Sequence, residues 1–122
     1  MSKRILIADD EPNIVISLEF LMKREGHAVS VARDGPAALE AIRAGRPDLV
    51  LLDVMMPGLS GFEVCQAVRG DEALAGVKIL MLSAKGRDTD IAKGQALGAD
   101  AYMTKPFSTK ELAEKVRELL AS

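Results

Sequence analysis

Four short apolar runs in this chain each give way to a polar group able to do chemistry. Ile5-Leu6-Ile7-Ala8 stops at Asp9-Asp10, and Leu49-Val50-Leu51-Leu52 stops at Asp53. Val77-Lys78-Ile79-Leu80-Met81-Leu82 stops at Ser83, and Ala101-Tyr102-Met103 is followed by Lys105. If these groups converge, three carboxylates repel one another and raise each other's pKa values. A divalent cation relieves that repulsion, and an oxygen-only donor set suits hard Mg²⁺ or Mn²⁺. Mg²⁺ takes one or two carboxylates and keeps room for water and phosphate oxygens. Lys105 adds a mobile positive charge and Ser83 a hydroxyl. Together they suit stabilisation of a phosphoryl group in transfer, and a carboxylate there can act as nucleophile and form an acyl phosphate. Each group also has a bland reading. An Asp pair after a strand caps a helix, and a lone Asp or Ser at a strand end shapes a turn. The chemical reading rests on four strand ends carrying the group types that one reaction needs. No glycine-rich G-x-G-x-x-G follows the first strand, and no G-x-x-x-x-G-K-[ST] occurs.

The elements that must bring these residues together alternate regularly. After Asp10 comes a helix with Pro12 in its first turn, Gly26 at its cap, and Ile14, Leu18, Leu21 and Met22 on one face. Residues 28–32 alternate apolar and polar, as a half-exposed strand does. Asp34-Gly35-Pro36 opens a second helix, with Ala38, Leu39 and Ile42 inward and Gly45 at its close. Pro57-Gly58 marks a loop, and Ser60 and Glu63 form a capping-box pair for a third helix. A weaker helix near Asp88–Leu97 contains Gly94 and ends at Gly98. Ser108 and Glu111 form a second capping box before the last helix, with Leu112, Val116 and Leu119 as its stripe. Strands alternating with helices imply an α/β domain, a single doubly wound parallel sheet of five strands. The continuous apolar runs belong in the middle, whereas the alternating second strand and the short fifth suit the edges. The order 2-1-3-4-5 meets both demands with right-handed crossovers. In such a sheet ligands sit at the carboxyl ends of the strands beside the switch in strand order, between the first and third strands.

Composition narrows the field. The 122 residues suffice for one domain, with 48% apolar and 28% charged residues. Aromatics make up 3%, which disfavours a stacking platform for single-stranded nucleic acid. A net charge of −2 disfavours direct binding to DNA through a basic field. One Cys, Cys65, and one His, His27, make neither an internal disulfide nor a structural zinc site, and neither is given a catalytic role. No apolar run approaches the length of a membrane span. These features suit a cytoplasmic protein with no membrane partner.

The motifs match a family. Residues 5–12 read ILIADDEP, residues 51–58 read LLDVMMPG with Gly61 beyond, Ser83-Ala84 follows, and residues 98–107 read GADAYMTKPF. In this order and spacing the chain, Lys3 to Leu120, resembles a response-regulator receiver domain of two-component signalling, a flavodoxin-like (βα)5 fold. Residues 1–122 would then form one receiver. The resemblance implies that Asp53 accepts a phosphoryl group from a phosphohistidine on a sensor histidine kinase or a histidine phosphotransfer protein. It implies Mg²⁺ (or Mn²⁺) held by Asp10 and Asp53 with help from Asp9 and the backbone carbonyl of Met55. Lys105 would bind a phosphoryl oxygen. Ser83 and Tyr102 would form a switch pair that drives the face made by helix 4, strand 5 and helix 5. The Lys105-Pro106 peptide would be cis. Ser83 stands where the family often has Thr, and the family varies at the positions of Met55 and Lys85, which are linked there to phosphoryl lifetime.

The same resemblance implies a downstream effector protein or a C-terminal output domain as partner, and leaves a phosphorylation-dependent homodimer open. The domain would not be an enzyme with an outside substrate; it would promote only its own phosphorylation and dephosphorylation. Ile16 and Phe20, four residues apart on the first helix, should point away from its buried face and suit docking of a kinase or phosphotransfer helix. Two alternatives stand beside this reading. One is a receiver-like interaction module that is not phosphorylated. The other is an Asp-nucleophile phosphatase, which generally carries D-x-D after its first strand; here Met55 stands two residues after Asp53.

Overall fold

The computed structural model describes residues 3–84 and 88–121. Its strands are β1 (Arg4–Ala8), β2 (Ala28–Ala32), β3 (Leu49–Asp53), β4 (Lys78–Ala84) and β5 (Ala101–Lys105). Its helices are α1 (Pro12–Arg24), α2 (Gly35–Gly45), α3 (Gly61–Arg69), α4 (Asp88–Ala96) and α5 (Thr109–Ala121). A 3-10 turn at Glu72–Leu74, absent from the sequence reading, links α3 to β4. The strands form one parallel sheet in the order β2-β1-β3-β4-β5.

Strand alternation divides the core in two. Ile5, Ile7, Leu49, Leu51, Leu80 and Leu82 pack against α1 and α5. Leu6, Ala8, Val50, Leu52, Ile79 and Met81 pack against α2 and α3. The central strand β3 is buried at every residue, which explains its unbroken apolar run. The edge strand β2 alternates between exposed and half-buried before Ala32, and every residue of the other edge, β5, is half-buried.

Local chemistry sets the helix ends. Asp34 caps α2 by accepting the Ala37 N–H at 2.7 Å. Ser60 and Glu63 form a reciprocal capping box on α3, and Ser108 Oγ accepts the Glu111 N–H before α5. At the end of α1, Gly26 N–H bonds Lys23 O and His27 N–H bonds Met22 O, a Schellman closure with Gly26 at φ 90°.

Four details differ from the sequence reading. Val15, not Ile14, joins Leu18, Leu21 and Met22 in the fully buried face of α1; the run Ile14-Val15-Ile16 is apolar throughout, so composition alone does not fix the phase. The left-handed residue that ends α2 is Arg46 (φ 46°), one beyond Gly45. The Arg4 guanidinium holds the Arg46 carbonyl there at 2.8 Å. Both β4 and β5 run further than their apolar segments, so Ser83 and Lys105 lie inside the strands.

Candidate functional site

Asp9, Asp53 and Lys105 share the parity of Ile7, Leu51 and Met103, so all three side chains leave the sheet on the α1/α5 side at its carboxyl edge. Asp9 is fully buried and Asp53 nearly so, whereas Asp10 is exposed. One carboxylate oxygen from each of Asp9, Asp10 and Asp53 lies within 4.8 Å of the others. Lys105 Nζ donates to Asp9 Oδ2 at 2.9 Å and lies 3.3 Å from Asp53 Oδ1 and 4.0 Å from Glu11 Oε2. The lysine is therefore held between carboxylates, and is not the mobile charge expected from the sequence.

Backbone donors complete the cradle. Asp9 Oδ1 accepts the Glu11 N–H at 2.9 Å, and Asp53 Oδ1 accepts the Met55 N–H at 3.4 Å. The turn after Asp53 is pressed close: a Cβ at Gly61 would collide with the Asp53 carbonyl oxygen, and Gly61 N–H bonds Val54 O at 2.8 Å. Only glycine permits that approach. The mouth is a cavity of about 560 Å³ lined by Asp10, Glu11, Pro12, Asp53, Met55 and Lys105.

Burial pushes the Asp53 carboxyl up to about 6; the neighbouring Asp9 charge pushes the same way, and Lys105 opposes both. Burial works against the Lys105 ammonium, but its hydrogen bond to Asp9 and the charges of Asp53 and Asp9 outweigh it and raise its pKa. An all-oxygen cluster around a buried carboxyl with a raised pKa, open to a cavity large enough for a phosphoryl group, fits a hard divalent cation.

Comparison with known proteins decides the family. The model of the response regulator receiver domain matches residues 5–117. The chain belongs to that family. Over 120 residues it is 46% identical to the DNA-binding response regulator MtrA of Mycolicibacterium smegmatis, covering 98% of this chain and 51% of MtrA. It is 45% identical to the alkaline phosphatase synthesis transcriptional regulatory protein PhoP of Bacillus subtilis, covering 98% of this chain and 49% of PhoP. The chain thus spans about half the length of these curated relatives. Among solved structures, the response regulator TrrA of Thermotoga maritima in complex with Mg²⁺-BeF superposes with a TM-score of 0.85 at 40% identity, covering 96% of this chain and 98% of that one. A structure from Chloroflexus aurantiacus described as a response regulator gives a TM-score of 0.95 at 34% identity, with both chains fully covered.

The other residues singled out from the sequence are placed as follows. Ser83 is buried, one residue past Leu82, the β4 partner of Asp53. Tyr102 pairs in register with Met81 and packs into the α2/α3 side of the core, its phenol oxygen shielded from solvent. Alternation puts Ser83 and Tyr102 on the sheet face opposite to Asp53 and Lys105. The Lys105-Pro106 peptide is cis. Met55 stands exposed at the cavity mouth, and Ile16 and Phe20 are 64% and 67% exposed on α1. Lys85 lies outside the described residues. Cys65 is buried, its thiol 3.6 Å from the Leu97 carbonyl, and His27 Nδ1 accepts the Lys3 N–H at 3.2 Å. Glu11, which no motif singles out, also lines the cavity, with Oε2 4.0 Å from Lys105 Nζ. Its place immediately after Asp9-Asp10 is the signal that the sequence carries for it. Among the described residues no helix is long and apolar enough to cross a membrane.

Proposed function

We propose that this receiver takes a phosphoryl group on Asp53 from a phosphohistidine of a sensor kinase or phosphotransfer protein. An Asp53 carboxylate oxygen forms the new bond to phosphorus as the phosphorus–nitrogen bond breaks, and the leaving imidazole keeps the electron pair and takes up a proton. The observation that carries this reading is a nearly buried Asp53 facing a 560 Å³ cavity, with two further carboxylates within 4.8 Å and an ammonium 3.3 Å away. Asp10 and Asp53 would hold Mg²⁺ with Asp9 and the Met55 carbonyl in support; when bound, the cation would offset negative charge on the phosphoryl oxygens. Lys105 exchanges its contact with Asp53 for a phosphoryl oxygen. Ser83 turns toward the phosphoryl group and Tyr102 moves with it, altering the α4-β5-α5 face read by an effector protein or an output domain.

The domain promotes this chemistry on itself and turns over no outside substrate. Its setting is the cytoplasm, and the exposed Ile16 and Phe20 beside the site serve as the docking patch for the donor. Incubation with a small acyl-phosphate donor and Mg²⁺ should label one site in an acid-labile acyl linkage that hydroxylamine also cleaves. Asp53→Asn should lose the label. Labelling that ignores both Mg²⁺ and Asp53→Asn would refute the assignment, and no labelling in the wild type would favour a receiver-like module that only binds.

A further inference from the structure

Sulfur is distributed unevenly in this molecule. Met22 and Met81 are fully buried, one on each side of the sheet. Met56 is half-buried against the α2/α3 side of the core and Met103 against the α1/α5 side. Cys65 is fully buried, and burial pushes its thiol pKa up, away from the thiolate that oxidants attack. Among the described sulfur residues Met55 alone stands in solvent, 66% exposed. The backbone holds it there. Val54 N–H bonds the Leu82 carbonyl at 2.9 Å, and the Val54 carbonyl accepts the Gly61 N–H at 2.8 Å. The Met55 N–H itself donates to Asp53 Oδ1 at 3.4 Å. Val54 is buried and Met56 packs inward, so the chain is anchored on both sides of the one side chain left outside. An exposed methionine on a plain surface is commonplace. This one is a wall of the 560 Å³ cavity in which Asp53 and Lys105 meet. Met55 and Pro12 are the apolar walls of that cavity, and its other lining residues carry charge.

We propose that Met55 is an oxidant-sensitive modification site. Hydrogen peroxide converts its thioether to the sulfoxide ahead of the other described sulfurs, and the sulfoxide shortens the life of a phosphoryl group on Asp53. In the first step a sulfur lone pair forms the S–O bond as the peroxide O–O bond breaks. The departing hydroxide takes up the proton of the transferred oxygen and leaves as water, so the thioether is oxidised by two electrons and the peroxide reduced. The product is a polar, chiral group where a flexible apolar one stood. Its oxygen accepts hydrogen bonds, so it draws water to a wall that the thioether kept dry. Water at the mouth is the nucleophile that attacks phosphorus in an acyl phosphate. The phosphorus–oxygen bond to Asp53 opens, the carboxylate is restored and inorganic phosphate leaves. This second step rests on the phosphoryl-acceptor reading; the first does not.

The test treats the folded chain with hydrogen peroxide and follows each methionine by peptide mass spectrometry. Met55 should gain oxygen about tenfold faster than Met22 and Met81 and about threefold faster than Met56 and Met103, and in urea these differences should vanish. Equal rates in the folded chain, or oxidation of Cys65 first, would overturn the modification site. After removal of peroxide, the oxidised protein is labelled with a small acyl phosphate and Mg²⁺. It should lose its label about threefold faster than the untreated protein, and methionine sulfoxide reductases should restore the slower loss. In Met55→Leu, peroxide should leave that variant's own rate of loss where it was. An unchanged rate in the wild type once Met55 is oxidised, or an equal acceleration in Met55→Leu, would overturn the role of the sulfoxide. If the untreated protein takes no label, the phosphoryl-acceptor reading fails by itself, and the modification site stands or falls on the order of oxidation.

Discussion

β3 and β5 both end at the site, yet they are built in opposite ways. Every residue of β3 is buried, and its last residue, Asp53, has a backbone that Gly61 contacts too closely to allow a side chain. Every residue of β5 is half-buried, and the strand forms the sheet edge. The carboxylate proposed to react stands on the most constrained strand, whereas the residues proposed to sense it, Lys105 and Tyr102, stand on the looser one. Regions that must move come from the low-stability end of a fold, and groups that must be positioned come from the rigid end. The opposite faces of Asp53 and Tyr102 sharpen the point: a change at the carboxylate reaches the α4 side only around the carboxyl edge, through β4 and β5.

Substitutions on the two strands should differ in their cost. The largest effect is expected at the rigid strand: Leu51→Ala should cost about 3–4 kcal/mol in urea denaturation, as a fully buried leucine does. Met103→Ala on β5 should cost only about 1 kcal/mol, because that side chain is half-buried. Similar losses at the two positions would abolish the distinction between the strands.

The site itself should cost stability. Asp53 has a folded pKa of about 6, above its unfolded value of 3.8. Its raised pKa means that its contribution to folding is full below the unfolded value and is lost as pH rises through 6. At pH 7 without metal the fold therefore carries an unfavourable carboxylate. Asp53→Asn should stabilise the metal-free protein there by about 2 kcal/mol and flatten the pH dependence of stability between pH 4 and 6. A neutral or destabilising Asp53→Asn at pH 7 would mean that Lys105 fully compensates the charge.

The smallest effect on stability is expected on α1. Ile16→Ser with Phe20→Ser should change it by less than about 0.5 kcal/mol, since both side chains are already in solvent. The pair should nevertheless slow transfer from a phosphohistidine donor at least tenfold while sparing labelling by a small acyl phosphate. Equal loss with both donors would remove the docking role.

Much of this arrangement was legible in the residues. The strand order followed from which apolar runs were continuous, and the site from the polar residues that stopped them. What escaped was set by tertiary contact. The extension of β5 through Thr104 and Lys105 depends on pairing with Ser83 and Ala84, which no apolar pattern marks. The choice of Val15 over Ile14 depends on how α1 is rotated against β1 and β3. The αL residue ending α2 moved to Arg46 because its carbonyl has a partner in Arg4. The restraint of Lys105 needed Asp9 at a separation of 96 residues, a distance over which spacing carries no signal. Arg69 likewise donates to the Gly98 carbonyl and to Asp100 Oδ2, residues about thirty apart from it that have no motif of their own.

The central claim is that Asp53 is the phosphoryl acceptor of a receiver whose other site residues act through it. Intact mass measurement after incubation with acyl phosphate and Mg²⁺ tests this most directly. The account predicts one added phosphoryl group, mapped to Asp53, absent without a divalent cation and absent in Asp53→Asn. A phosphoryl group that persists in Asp53→Asn at the wild-type level, or that maps to another residue, would contradict it.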